Sequence, residues 1–352
     1  MLEPVRRLSM GSQQIQWRGH MRTCLGVLLS LVFLVLAFRD VQLHVVASTL
    51  RQVDLRLLAA AVGVEMATFW AIAVRWQRLF TPHAPPSKRR LFEILTIAQL
   101  VNGVLPAKMG PLVRAYLAGK GEREGVAFTL ATIVGEKLLE GVSLFAIGAA
   151  LLPFVPLADW LRPASWASAV LLLLALALMV WIALRQETAG RWLEHRLGRW
   201  PRLLGAARSA LDALTVWRDR RAILALAGWS AVIWAITVLL NQLLLWSLGI
   251  DVPPVAPLLL LVVLQIGVRV PSSPGSIGVF HYLSVLTLSL FGVEKDLAFS
   301  YGVLLHLVTY LPPSLLGIAY LARSGYSLSR LRQAAGMVPL AIDSQGGHGD
   351  VP

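Results

Sequence analysis

A single cysteine, Cys24, occurs in 352 residues, which excludes a disulfide framework or a cysteine-based metal site built from one chain. Charge is scarce as well. Asp, Glu, Lys and Arg make up 14% of the sequence, against about 25% in soluble domains. Acids are the scarcer sign, 19 against 32 Lys and Arg, for a net charge of +13. The basic residues fall between apolar runs and form no stripe interleaved with aromatics, so the excess marks membrane topology and excludes a nucleic-acid surface. No Gly-x-x-x-x-Gly-Lys-Ser/Thr loop is present, which excludes an ATP-binding loop of that type. Nor is there an aspartate-rich or histidine-rich cluster that would hold a metal, and no cofactor is expected.

What the chain has in abundance is apolar surface: 57% hydrophobic residues and a mean hydropathy of +0.68 describe an all-α polytopic membrane protein, with the bilayer as solvent. Basic residues Arg6, Arg7, Arg18 and Arg22 precede an apolar run from Cys24 to Phe38 with no small-x-small cleavage site after it. That run reads as a retained first span. A helix needs about 20 apolar residues to cross about 30 Å of hydrocarbon. Six runs meet or approach this, at 22–38, 56–74, 126–152, 166–184, 222–248 and 298–322. Two regions do not: 91–105 followed by 111–119, and 257–270 followed by 277–291, the second split by RVPSSPGSIG.

Cytoplasmic loops are enriched in Lys and Arg. Residues 1–21 are basic, 39–56 nearly balanced, 75–90 (RWQRLFTPHAPPSKRR) strongly basic, and 185–221 carry nine arginines. This pattern predicts cytoplasmic termini and makes each broken region a re-entrant hairpin, 91–119 entering from the cytoplasm and 257–291 from outside. The expected organisation is a cytoplasmic segment 1–21, a first repeat 22–152, a second, inverted repeat 153–325, and a polar tail 326–352. A short echo accompanies it. Gln99, Pro106, Gly110 and Tyr116 recur as Gln265, Pro271, Gly275 and Tyr282, each set followed by Ala-Phe-Thr (127–129) or Ala-Phe-Ser (298–300). Chance in a Leu/Ala/Gly-rich chain is the competing explanation of the echo taken alone. Inverted repeats with broken helices at mid-membrane are a hallmark of secondary transporters.

Irregular backbone at membrane depth is tolerated only inside protein or beside a wet cavity. Gly110 with Pro111 is expected to cap and open the second arm of the first hairpin. Pro274-Gly275 makes the second turn, with Ser276 as N-cap of a helix from Ile277. Each arm would point free amides and a positive dipole end inward, an arrangement that attracts phosphate. Arg114, Lys108 and Arg269 add cations there. A cation at the bilayer centre costs on the order of 2.5–3.5 kcal/mol, so each needs a partner, water or an anion; for Lys108 and Arg114, snorkelling to water is the alternative. TIVGEKLLEGVSLF places Glu136 and Glu140 on one helix face, with Lys137 beside them. Ion pairing with Arg114 and a part in transport are both open to the two acids. Glu65 and His306 are further ionisable groups within spans, open to proton coupling or, for His306, to simple helix packing.

Asn102-x-x-Leu105-Pro106…Gly110-x-x-x-Arg114-Ala-Tyr, then Glu136-Lys137 with Glu140, then Pro271-x-x-Pro274-Gly275-x-x-Gly278-Val resembles the membrane domain of lysylphosphatidylglycerol synthases and its stand-alone, flippase-like relatives, over roughly residues 20 to 325. The resemblance implies a lipid-translocating domain in the bacterial inner membrane that moves aminoacylated phosphatidylglycerol, other lipid phosphates or isoprenoid-linked carriers. The headgroup contacts would be Arg114, Lys108, Arg269, Asn102, Ser276 and His281. Membrane lipids, and lipid-synthesis enzymes, are the implied partners. The sequence departs from the family where an arginine and an aspartate are replaced by Lys137 and Glu140, and where a glutamate gives way to Phe280-His281. The family's aminoacyl-transferase domain does not fit into residues 323–352, so lysyl transfer is not expected of this chain. Two other readings stand beside it. One is an integral-membrane enzyme using Glu136, Glu140 and His281 as acid and base. The other is a non-catalytic partner in envelope lipid synthesis. The amphipathic segment within 185–221 is expected along the anionic inner leaflet under any of them.

Overall fold

The computed structural model describes residues 41–81, 83–105, 109–120, 125–151, 161–269 and 274–324, with isolated residues at 32–38 and 330–333. The segment 1–21, most of the expected span 22–38, Pro106, Lys108, Pro271 and the tail from 334 onward lie outside the described residues, as does most of the expected outside loop 151–165. Among the described residues the fold is helical: α1 (Leu43–Arg51), α2 (Leu55–Arg78), α3 (Lys88–Val104), α4 (Gly110–Gly119), α5 (Gly125–Leu151), α6 (Leu161–Leu184), α7 (Gln186–Leu197), α8 (Pro201–Asp212), α9 (Arg220–Ser247), α10 (Val255–Gly267), α11 (Val279–Ser289) and α12 (Lys295–Ser324). Local chemistry starts several of them. Asp54 accepts hydrogen bonds from the amides of Arg56 and Leu57, Ser87 from Arg90, and Asp219 from Arg221, satisfying amides that a helix leaves open at its first turn.

Helices α2, α9 and α12 are long and apolar enough to cross a membrane, and α6 running into α7 adds an apolar pair bent by 87°. Helix α5 has 27 residues, about 40 Å at 1.5 Å per residue, and carries Glu136, Lys137 and Glu140 at mid-length. Length and composition therefore support three to four spans among the described residues, against the six expected. One boundary moves for a physical reason. Helix α2 runs on to Arg78 and takes Arg75, read above as part of a basic loop, into a fully buried position, where carboxylates from α5 meet it.

Both broken regions are broken where expected. Helices α3 and α4 have 17 and 10 residues, about 26 and 15 Å; α10 and α11 have 13 and 11, about 20 and 17 Å. None spans about 30 Å of hydrocarbon. The two arms of each region pack against one another, whereas the halves of one continuous helix would lie end to end. The long helices interlock around these hairpins. Helix α2 packs along α9, α3 along α12, α4 on α5, α11 on α12, and α10 reaches α5. A Cβ on Gly317 of α12 would stand 2.5 Å from the Thr96 carbonyl of α3, so that crossing brings backbone to backbone, as small residues permit in membranes. Pro313, inside α12, cannot donate to the Thr309 carbonyl four residues earlier; Gln99 of α3 donates its Nε2 there instead, at 3.3 Å.

The caps at the breaks differ from expectation. Helix α4 begins at Gly110 with Met109 at the N-cap and Pro111 as its second residue. The Gly110 amide is not free, because Asn102 Oδ1 accepts it at 2.8 Å across the hairpin. At the second break Ser276 is not the N-cap. It sits in a short 3₁₀ turn, Pro274–Ser276, at φ 55°, and α11 starts at Val279 behind Gly278 at φ 94°. A left-handed residue there suits glycine and postpones the helix by two residues. Asn102→Ala is expected to lower the melting temperature, since an unpaired buried amide costs about 1–3 kcal/mol; Asn102→Asp, which keeps an acceptor, should lose less in the same thermal-shift measurement.

Candidate functional site

Glu136 on α5 is the centre of a buried ion network. Its side chain is 1% exposed. Arg114 of α4 reaches it with both terminal nitrogens, Nη2 to Oε2 at 2.5 Å and Nη1 to Oε1 at 3.3 Å, a bidentate pairing that suits a planar guanidinium. Arg75 of α2 spans both acids, donating from Nη2 to Glu140 at 2.7 Å and to Glu136 at 3.4 Å, while its Nη1 donates to Ser230 of α9 at 3.2 Å. One turn apart on α5, the two carboxylates share a face, which is why one guanidinium can touch both. Beneath this, the Arg114 guanidinium lies 4.1 Å over the Trp76 ring, a cation–π contact, and Trp76 Nε1 donates to Thr132.

Glu140 carries the network outward. Lys137 Nζ donates to its Oε2 at 2.7 Å, and Arg269, just beyond α10, comes within 3.8 Å of the same oxygen. Exposure changes along the way, from 0% and 7% at the Arg75 and Arg114 side chains to 50% at Lys137 and 44% at Arg269. Four cations thus surround two carboxylates, a formal surplus of two positive charges among the described residues. Buried charges are tolerated when paired; the inner part of the network is paired, and the surplus lies at its outer end.

That outer end opens on a polar cavity of about 350 Å³, within the range of about 300–1,000 Å³ that ligand pockets occupy. Lys137 and Glu140 form one wall, Glu65 and Thr68 of α2 another, and Asn241 with Thr237 of α9 a third. Both hairpins abut it. Gln99 and Asn102 come from the first; Gln265, Gly275 and Ser276 come from the second. Gln99 and Gln265, paired in the sequence echo, thus line the same space. Glu65 is 7% exposed and has no ion-pair partner among the described residues.

The residues singled out in the sequence divide accordingly. Lys137, Glu140, Glu65, Asn102, Ser276 and Gly275 line the cavity. Arg114 and Glu136 stand behind it as a closed pair, and Arg269 contacts Glu140 from beside it. His281 and His306 do not line it; their rings are 5.3 Å apart in an aromatic cluster with Phe280 and Phe299, and His306 stacks on Tyr310, Phe280 and Tyr310 being cavity residues. Pro111, Pro274 and Gly278 shape the breaks. Sequence reasoning missed Arg75, whose signal was the unmatched pair of acids on α5. It also missed Asn241, an amide inside an apolar span that donates to the Pro257 carbonyl at 3.2 Å and accepts from the Tyr301 hydroxyl at 3.0 Å.

A UPF0104 membrane protein from Methanothermobacter thermautotrophicus (strain Delta H) is 23% identical over 308 residues, covering 81% of this chain and 90% of the relative. Residues 24–317 match the family described as the lysylphosphatidylglycerol synthase TM region, a stretch that contains both hairpins, the α5 acids and every cavity residue. The chain is therefore a membrane protein belonging to the lysylphosphatidylglycerol synthase TM-region family.

Proposed function

We propose that the protein is a lipid flippase that moves an anionic lipid headgroup, of phospholipid or isoprenoid-phosphate type, across the cytoplasmic membrane. The observation that carries this reading is the surplus of two positive charges at Glu140, where Lys137 lines the polar cavity between the hairpins and Arg269 stands beside it. An isolated cation in hydrocarbon is expensive, and a phosphate at this wall offsets that cost during transit. Lys137 and Arg269 take the phosphate, Arg75 and Arg114 hold Glu136 and Glu140 in place behind them, and the acyl or prenyl chains remain in the bilayer. The lipid leaves chemically unaltered.

Alternating access comes from one half rocking against the other. Correspondences in packing support an inverted repeat as the basis. Helix α4 on α5 matches α11 on α12, α3 with α12 matches α10 with α5, and α2 packs with its counterpart α9. Energy comes from an ion gradient or from downhill movement, and Glu65, a cavity carboxyl without a counter-ion, is the proton carrier in that scheme.

Reconstitution of the full chain with mass-tagged lipids tests the reading. Lys137→Ala and Arg269→Ala should each slow translocation of an anionic lipid roughly ten- to hundredfold, the effect of losing a charge-assisted hydrogen bond of about 1.5–3 kcal/mol. Their melting temperatures should stay close to wild type, since half-exposed ion pairs contribute about 0–1 kcal/mol. Unchanged translocation in both variants, or new lipid products from the wild type, would overturn it.

A further inference from the structure

Away from the polar cavity lies a second, larger space of different character. Helix α6 ends in an elbow at Arg185 that turns the chain by 87° into α7. Helices α7 and α8 then form a short hairpin, closed by Arg208 donating to Glu194 and by Gln186 donating to the Leu211 carbonyl and to Thr215. Helix α8 packs back on α5. These elements enclose an apolar groove of about 1,100 Å³. The sequence aims apolar faces into it at helical spacing: Ala189, Trp192, Leu193 and Leu197 from α7, and Leu203, Ala206, Ala207, Ala210 and Leu211 from α8. Arg191, Arg196 and Arg208 are absent from the lining.

An apolar void of this size is unfavourable empty, because its lining loses van der Waals partners, and Arg185 and Thr188 alone among its lining residues offer polar side chains to water. Its occupant must be apolar, and its depth in the bilayer says more. Trp181, Trp192 and Trp200 are all more than half exposed around the elbow, beside nine arginines between 185 and 221. Aromatic and basic residues together mark the headgroup level of the inner leaflet. Arg185 lines the groove, is exposed, and has no ion-pair partner among the described residues.

We infer that this groove is a binding site for an anionic phospholipid of the inner leaflet, with an acyl chain between α5, α6 and the α7–α8 hairpin and the phosphate on Arg185. The lipid is a resident that anchors the amphipathic hairpin, and its binding requires no translocation, so the inference stands or falls separately from the flippase reading.

The test uses the full chain in vesicles containing trace phosphatidylglycerol or phosphatidylcholine with a photoactivatable acyl chain, followed by mass-spectrometric mapping of adducts. Adducts are expected on 127–138, 175–193 and 203–214, with phosphatidylglycerol labelling severalfold above phosphatidylcholine. Arg185→Gln should reduce that preference about fivefold, the weight of one basic residue at an anionic leaflet. Ala207→Trp, which fills the groove, should remove the adducts from both lipids. Equal labelling by the two lipids, a preference unchanged in Arg185→Gln, or a groove covered by a second copy and free of lipid adducts would each overturn the assignment.

Discussion

Glu136→Ala is expected to cost about 3–5 kcal/mol of stability, the penalty for leaving a buried charge without its partner. The substitution strips Arg114 of both its carboxylate hydrogen bonds and Arg75 of one, and the Nε atoms of both guanidiniums are already buried without hydrogen-bond partners among the described residues. Arg75 would then share Glu140 with Lys137 and Arg269, and Arg114 would keep no carboxylate among the described residues. Arg114→Ala and Arg75→Ala should each cost less, because in either variant both acids keep another cation. The double substitution Glu136→Leu with Arg114→Met should recover part of the loss, since replacing a buried pair by packed apolar groups is often neutral. Melting temperature and yield of the detergent-purified protein give this order directly. A Glu136→Ala protein that melts like wild type would show that α2, α4 and α5 do not meet around this carboxylate.

The second large effect concerns a hydrogen atom. Gly317→Ala would place a methyl group 2.5 Å from the Thr96 carbonyl oxygen and 2.9 Å from its carbon. Both are backbone atoms within α3, so neither can swing aside as a side chain would. Helices α3 and α12 must separate, at a cost of about 1–3 kcal/mol typical of overpacking, and Gln99 would lose its hold on the Thr309 carbonyl. Because both helices line the cavity, the proposed translocation should fall together with the melting temperature. Gly63→Ala and Gly228→Ala are the matched controls. Each lies in a long helix with nothing within 4 Å of the added carbon, and alanine there should be neutral or stabilising by up to about 1 kcal/mol. Equal behaviour of all three variants would mean that the close crossing does not exist.

The broken helices were legible because proline and glycine act locally. A stretch such as Val-Leu-Pro-Ala-Lys-Met-Gly-Pro cannot continue a helix whatever surrounds it, and α3, α4, α10 and α11 end within a few residues of the expected boundaries. The acids on α5 were legible too, since a 3.6-residue period puts Glu136 and Glu140 on one face without reference to any other element. The caps were read less well. Ser276 has the right side chain for an N-cap, but the chain passes through Gly275, Ser276 and Gly278 at positive φ before the helix can start, and that path is set by what the turn packs against. The amide of Gly110 is likewise satisfied by a residue eight positions away.

Composition, period and punctuation, all properties of neighbouring residues, were enough to establish a membrane-embedded helical chain with two interrupted helices and a charged stripe on α5. Which cation meets which acid was decided only by assembly. Arg75 and Glu136 are 61 residues apart, and Gln99 and Thr309 are 210 apart. Nothing local distinguishes an arginine that ends a span from one that turns inward. The difference arises when α2 packs on α9 beside α5 and the low dielectric there makes a guanidinium and two carboxylates far more favourable together than apart.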